Sequence, residues 1–215
     1  SRMKALCTRA ASEGFPIPFF ATPENHNTPR AAARPGGITY SMWAMVINSF
    51  LPAIPFVHSG YELAETYPIN TGLDFTSEQL KHYPSEKLPL FSEYAYDWLR
   101  KNQISWWVKK VLALRSKYHK LIVDDNPLSF VMLHAEGEAG GYHEHILAFA
   151  RQSDQPRKRV AVISNTNFFG PETAVVRLDS SKERVTDLLG EKEYELKDCH
   201  LRAKLQPGQC LVFEY

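Results

Sequence analysis

Two short apolar runs in the first third of the sequence each end in a cluster of polar side chains. The run over 15–21 ends in the cluster 22–30, and the run over 53–57 ends in His58-Ser59-Gly60-Tyr61-Glu62. Between them, the apolar stretch 38–51 has the length of a helix, with two glycines before it and Pro52 after it. This order predicts a parallel βαβ unit. Both polar clusters would then lie at the carboxyl ends of strands, the edge at which such sheets carry their chemistry.

Periodic apolar positions predict further helices. The N-terminal helix has Met3, Leu6, Cys7 and Ala10 on one face, and Gly14 stands where a helix would stop. We also expect helices over 92–102 and 105–121, the second with an apolar stripe at Trp107, Val111, Leu114 and Tyr118.

The composition changes after residue 125, where short runs of β character begin. These runs cover 129–134, 145–150, 159–164, 173–178, 184–188 and 209–215, and turns containing glycine or proline separate them. That rhythm is typical of a small antiparallel sandwich. We therefore predict two domains, one over 1–125 and one over 126–215.

The composition indicates a folded core and gives no support for some kinds of partner. The 215 residues are 44% hydrophobic and 12% aromatic, which is enough for a substantial core. The net charge of +1 gives no electrostatic reason to expect nucleic acid or an anionic membrane as a partner. No apolar run reaches 18 residues, so we expect no membrane span. The odd number of cysteines (Cys7, Cys199, Cys210) favours free thiols, a reducing compartment and a cytoplasmic location.

No cofactor or metal is expected. His143 and His145 share one face of an extended segment and flank Glu144, but the sequence offers no third ligand in register. We therefore interpret both histidines as surface residues.

The cluster 22–30 has several interpretations on its residues alone. Asn25 and Asn27 are short amides that could simply form a turn, and His26 could be a structural histidine at a strand end. Arg30 could pair with Glu24 to hold the turn rigid. Alternatively, these donors and acceptors bind a polar ligand.

Three segments together resemble glycoside hydrolase family 13, the α-amylase family. Residues 20–30 resemble its fourth signature region, Asn-His-Asp with an arginine close behind; 54–62 is similar to its eighth-strand segment; and 111–121 resembles its last barrel helix. The three occur in the family's order with roughly its spacing. The resemblance implies an α/β part, the last βα units of a (β/α)8 TIM barrel, followed by an all-β part, a C-terminal antiparallel β-sandwich.

The resemblance also implies a function, the retaining cleavage or transfer of α-glucosidic bonds in α-glucans or oligosaccharides. The family's nucleophile and general acid lie on the fourth and fifth barrel strands, before this segment, so the chain alone is expected to be inactive. His26 would bind a sugar hydroxyl, with Asn25, Arg30 and Glu62 as further substrate-binding residues. Asn27 stands at the position of the family's third catalytic aspartate, and an amide there carries no negative charge.

Two other functions stay open. A catalytically degenerate member of the same fold could be a glucan-binding or scaffolding protein, and an unrelated α+β binding domain would make the three matches coincidental. In the long loop 61–94, Tyr61, Tyr67, Phe75 and Tyr83 could either stack on sugar rings or bury the loop. Because part of a barrel would expose strand edges and apolar faces, we expect the isolated chain either to self-associate or to have lost an N-terminal part that covered them.

Overall fold

The computed structural model describes residues 2–14, 19–90, 96–101, 103–123, 127–137, 141–154 and 157–215. The helices are α1 Arg2–Glu13, α2 Gly37–Phe50, α3 Ser77–His82, α4 Ser105–Lys117 and α5 His119–Ile122, with short 3₁₀ turns at Ala31–Ala33, Ser85–Lys87 and Pro127–Ser129. The strands are β1 Phe20–Ala21, β2 Ile54–Pro55, β3 Phe130–Met132, β4 Ile146–Asp154, β5 Arg157–Asn165, β6 Glu172–Arg177, β7 Arg184–Thr186, β8 Glu193–Lys197, β9 His200–Leu205 and β10 Cys210–Glu214.

Strands β1 and β2 form a parallel pair joined through α2. Phe20 lies opposite Ile54 and Ala21 lies opposite Pro55, and the Phe56 N–H donates to the Ala21 carbonyl at 2.9 Å. The predicted strand–helix–strand order and its parallel direction are confirmed, and both polar clusters follow the carboxyl ends of their strands.

Helix α2 is buried over most of its length because its neighbours cover it on several sides. It begins after Gly36, whose φ of 94° is in the left-handed region, and a Cβ at this position would come within 2.9 Å of the Phe168 ring. That ring packs edge-on against Tyr40 and Trp43 of the helix, with centroids 5.4 Å apart in each case. Glycine therefore serves both the backbone turn and the close approach of the β-rich part of the chain.

Helix α4 crosses α2 and is tied to it by polar contacts. The Trp107 indole N–H donates to the Met42 carbonyl at 2.8 Å, and the Arg115 guanidinium donates to the carbonyls of Ser49 and Ala53. Arg115 thus satisfies carbonyls at the end of α2 and just beyond it. Val111, which is fully buried, provides the apolar centre of this contact.

The C-terminal part of the chain forms two four-stranded antiparallel sheets. Their strand orders are β10-β5-β4-β3 and β6-β9-β8-β7. Along β4, Leu147 and Phe149 belong to the core shared with α2 and α4, whereas the alternate residues Ile146 and Ala148 belong to the core shared with the second sheet. The first sheet is therefore buried on both faces, which explains its nearly continuous apolar sequence.

Most predicted elements are confirmed, with two exceptions. Strands β8 and β9 were not predicted. The prediction of a helix over 92–102 is wrong for residues 96–101, which form turns. The other residues of that predicted helix lie outside the described residues. The three cysteines are free thiols, as expected. Within the described residues, no helix is long and apolar enough to cross a membrane.

Apolar side chains are exposed where the parallel strand pair faces away from the rest of the chain. Phe20 is 66% exposed, Ile54 51% and Phe56 44%. The rings of Phe20 and Phe56 contact each other edge-on, with centroids 6.1 Å apart. These three side chains, which we call the apolar strand face, form a contiguous surface of the kind that marks a protein contact.

Candidate functional site

The turn after β1 is closed by its own side chains. Asn25 Oδ1 accepts a hydrogen bond from the Asn27 N–H at 2.8 Å, and Thr28 Oγ1 accepts one from the Asn25 N–H at 3.0 Å. The first contact is the local amide-to-backbone bond of an Asx turn. The turn-forming role that the sequence left open for Asn25 is thus present in the structure.

Asn27 connects this turn to the loop after β2. Its Oδ1 accepts a hydrogen bond from Asn70 Nδ2 at 2.9 Å, and its backbone carbonyl accepts one from the Leu73 N–H. The side chain is half-buried. Two segments more than forty residues apart therefore hold the amide in a fixed orientation.

His26 lies at the point where the two polar turns meet. Its side chain is exposed, and its ring centroid is 6.4 Å from that of His58, with the ring planes 31° apart. Because β1 and β2 are parallel and adjacent, residues that follow both strands come together at one edge. The sequence pattern predicted that both clusters lie at this edge, and we call the place where the turns after β1 and β2 meet the shared mouth.

A buried ion pair holds the base of the turn. Arg30 Nη1 lies 2.5 Å from Glu24 Oε1, and both side chains are only 1% exposed. The second carboxylate oxygen of Glu24 accepts the Ala31 N–H at 2.6 Å. Both oxygens of this carboxylate are therefore engaged within the protein, as expected for a buried charge.

The same guanidinium also reaches the second turn and the long loop. Arg30 donates to the Ser59 carbonyl at 3.0 Å, lies 2.9 Å from His58 Nδ1, and donates to the Tyr67 carbonyl at 3.2 Å and the Tyr96 hydroxyl at 2.9 Å. Arg30 thus joins three segments that are distant in sequence.

Gly60 is the residue that permits this packing. Its φ is 88°, and a Cβ at this position would lie 2.8 Å from Cε1 of Tyr96 and 3.1 Å from Nη2 of Arg30. Any larger residue would displace the tyrosine from the guanidinium.

Burial sets the electrostatics of the site. Burial raises the pKa of the Glu24 carboxyl, and this effect is opposed by the charge of Arg30 and the Ala31 N–H. Burial, followed by the charges of Arg30 and His26, lowers the pKa of His58, with a smaller opposing effect of the Ser59 carbonyl. The His58 ring is therefore neutral at pH 7.

The two glutamates that follow β2 have different surroundings. Glu65 accepts the N–H groups of Thr66 and Tyr67 at 2.8 and 2.9 Å and pairs with Arg100 at 3.2 Å, so it holds the loop. Glu62 is half-buried, and its Oε2 is buried with no hydrogen-bond partner among the described residues. A buried carboxylate oxygen without a partner is unusual in a folded protein.

The loop aromatics pack mainly on one another and on the protein. Tyr61 is 1% exposed and donates to the Ser41 carbonyl. Tyr83 lies edge-on against Tyr67, with centroids 5.1 Å apart, and against Phe75, at 6.1 Å. Burial of the loop thus accounts for Tyr61, whereas the other three keep partly accessible faces.

Within the described ranges, no group of three or more histidine, cysteine, aspartate or glutamate side chains could hold a metal ion. His143 instead lies 3.7 Å from Glu172.

Sequence reasoning did not identify His58 or Tyr96 as parts of this site. His58 stood in the second polar cluster, so the pattern contained a signal for it. Tyr96 had none, because its contact with Arg30 spans 66 positions.

Comparison with solved structures gives matches over nearly the whole chain. An α-amylase from Lactobacillus plantarum matches with a TM-score of 0.66 and 15% identity, covering 100% of this chain and 42% of that one. An α-amylase from Geobacillus thermoleovorans, complexed with acarbose, matches with a TM-score of 0.64 and 13% identity over 98% and 42% of the two chains. A variant of AmyP in complex with maltotriose matches with a TM-score of 0.63 and 13% identity over 91% and 40%.

The chain has the fold of part of an α-amylase. At these identities the likeness concerns the fold alone. The chain spans about two fifths of the length of the amylases it matches, consistent with their C-terminal part. No protein-family model and no curated protein sequence matches it.

Proposed function

We propose that this chain is the C-terminal portion of an α-amylase-like glycoside hydrolase or transglycosylase acting on α-glucans. In this proposal β1, α2 and β2 belong to the last βα units of a (β/α)8 barrel over 1–125, and 126–215 is the β-sandwich domain. The amylase fold, the parallel strand pair and the polar turns at its carboxyl edge support it. The nucleophile and the general acid of the retaining reaction would come from the rest of the protein.

His26 carries the proposal, because it is exposed at the edge where the two turns meet. An imidazole there can donate to, or accept from, a sugar hydroxyl. Asn25 shapes the turn around it. Arg30 contributes by holding both turns in place, since its own side chain is buried among protein groups. Glu62 follows β2 at the same edge and is included as a further substrate-binding residue; its Oε2 is buried and has no hydrogen-bond partner among the described residues.

Asn27 limits the catalysis that the shared mouth can support. Its amide can donate hydrogen bonds to sugar hydroxyls and accept hydrogen bonds from them. Because the amide carries no negative charge, it cannot stabilise the positive charge that develops at the reacting carbon. Loss of one electrostatic group of this kind costs on the order of 10² to 10³ in rate. We therefore assign this chain a substrate-binding role and no hydrolysis on its own.

The test is a calorimetric titration of the chain with maltotriose, comparing wild type with His26→Ala. Thermal unfolding of both proteins verifies that the fold is kept, and His82→Ala, an exposed histidine on α3, is the matched control. We expect wild type and the control to bind, and His26→Ala to bind much more weakly. Absence of binding by wild type, or equal binding by all three, would overturn the proposal.

The second candidate is a glucan-binding or scaffolding protein of the same fold without catalysis. The amide of Asn27 favours it. Incubation of the complete protein with maltooligosaccharides separates the two, because an enzyme releases shorter products whereas a binder leaves them intact.

A further inference from the structure

His58 lies at the shared mouth but is not among the sugar ligands of the proposed function. It lies three positions after the end of β2, it is 8% exposed, and its ring lies beside His26 and the partly exposed Phe56, with both centroid distances 6.4 Å. It is thus a nearly buried ring at the rim of the shared mouth.

The contact with Arg30 determines which ring nitrogen carries the proton. Arg30 Nη1 lies 2.9 Å from His58 Nδ1. A guanidinium has only donors, so in this contact Nδ1 is the acceptor; Nη1 shares its two N–H groups among Glu24, Ser59 and His58. In a neutral imidazole the proton is then on Nε2, and this nitrogen is a donor.

Among the described residues, no acceptor is hydrogen-bonded to His58 Nε2, and the residue is 8% exposed. A donor that is fixed in direction, near the surface and unpaired suits a ligand hydroxyl.

We propose that His58 is a second sugar ligand, donating from Nε2 to a hydroxyl of the sugar that His26 binds, and that Arg30 is the positioning residue that fixes this tautomer. The inference rests on the proposed function. Two neighbouring imidazoles suit a pyranose, whose hydroxyls occur on adjacent carbons.

Two effects support a neutral donor at this site. Burial and the charge of Arg30 lower the pKa of His58, so the ring keeps a single defined proton at neutral pH. The Glu24 carboxylate in turn engages Arg30 and fixes the direction of its N–H groups. A purely structural histidine would need only the contact between Arg30 and Nδ1, and the experiment has to separate these two roles.

Two substitutions at position 58 separate them. His58→Asn places an amide oxygen near the position of Nδ1, which keeps an acceptor for Arg30 but removes the outer donor. His58→Gln can place an amide N–H near the position of Nε2, which keeps the outer donor. We expect His58→Asn to unfold at the wild-type temperature and to bind maltotriose about tenfold more weakly. We expect His58→Gln to keep affinity within about threefold of wild type.

Nitrogen-15 NMR of the wild-type ring tests the tautomer without any substitution. The expected spectrum shows a protonated Nε2 and an unprotonated Nδ1, and maltotriose shifts the Nε2 resonance. A protonated Nδ1, or an Nε2 resonance that saturating maltotriose leaves unchanged, would overturn the inference even if a variant failed to fold.

The binding data also distinguish this inference from the proposed function. If wild type binds maltotriose, His26→Ala weakens binding and His58→Asn binds like wild type, only the role of His58 is wrong. If wild type does not bind maltotriose, both proposals are wrong.

Discussion

The carboxylate of Glu24 and the guanidinium of Arg30 form an ion pair that is almost completely removed from solvent. Glu24 lies at the start of the turn after β1, and Arg30 extends from the end of that turn to the segment after β2. The pair therefore fixes the geometry of both polar turns, and through them the relative position of His26 and His58.

Breaking this pair should destabilise the protein strongly. Glu24→Gln keeps the shape of the side chain but leaves a buried guanidinium without its counter-charge, which typically costs about 3–5 kcal/mol of unfolding free energy. The control is Glu13→Gln, which removes the exposed partner of Arg9 and should leave the unfolding free energy nearly unchanged, because solvent screens an exposed ion pair. Urea unfolding measures both, and equal small losses would show that the buried pair is not structurally important.

Restoring a carboxylate at position 27 should increase catalysis in the complete protein. Asn27→Asp retains the acceptor that Asn70 uses and adds a negative charge at the mouth. Under the proposed function the rate of maltooligosaccharide cleavage should rise by about 10² to 10³. Asn25→Asp, which adds the same charge within the same turn, is the control and should give no comparable increase. An unchanged rate for Asn27→Asp would remove the assignment of this position.

Stability should depend on pH through His58. The pKa of the folded-state ring is below its ordinary value of 6.5, so the unfolded chain binds more protons in mildly acidic solution. The stability that the neutral ring contributes is therefore complete above pH 6.5 and is lost as the pH falls below it. Urea unfolding at several pH values from 7.5 to 5 should show a smaller decline for His58→Asn than for wild type. His82→Asn, at an exposed position, should keep the wild-type decline; equal declines in all three proteins would contradict the role of His58.

The apolar strand face should cause self-association of the isolated chain. Phe20, Ile54 and Phe56 expose contiguous apolar surface beside a strand pair that no further strand of the described residues extends. Sedimentation velocity at several concentrations should show a mass that rises with concentration, and Phe56→Ser should reduce this rise. Phe169→Ser is the control, because Phe169 is 83% exposed and lies outside this face. A concentration-independent monomer would contradict the prediction.

The sequence predicted the elements whose signals are local. The parallel pair and α2 were predictable because apolar runs, Gly36-Gly37 and Pro52 mark their limits directly. The hairpin of β8 and β9 was not, because its two-residue turn is Asp198-Cys199, both with positive φ, without the asparagine–glycine signal that usually marks such turns. Its strands also carry many charged residues on their outward face, which weakened the β pattern.

The candidate site was predictable only in part for the same reason. His26 and Asn27 were identified because the cluster is continuous in sequence. The contacts of Arg30 with Ser59, Tyr67 and Tyr96 depend on tertiary packing across 29 to 66 positions. A single sequence contains no periodic signal for contacts of this range.

A crystal structure of the chain with maltotriose would show whether the turns after β1 and β2 bind sugar. We predict a sugar ring at the mouth formed by these turns, with hydroxyls within hydrogen-bonding distance of the His26 and Asn27 side chains. Maltotriose bound only elsewhere on the protein, with this mouth empty at saturating concentration, would contradict this prediction.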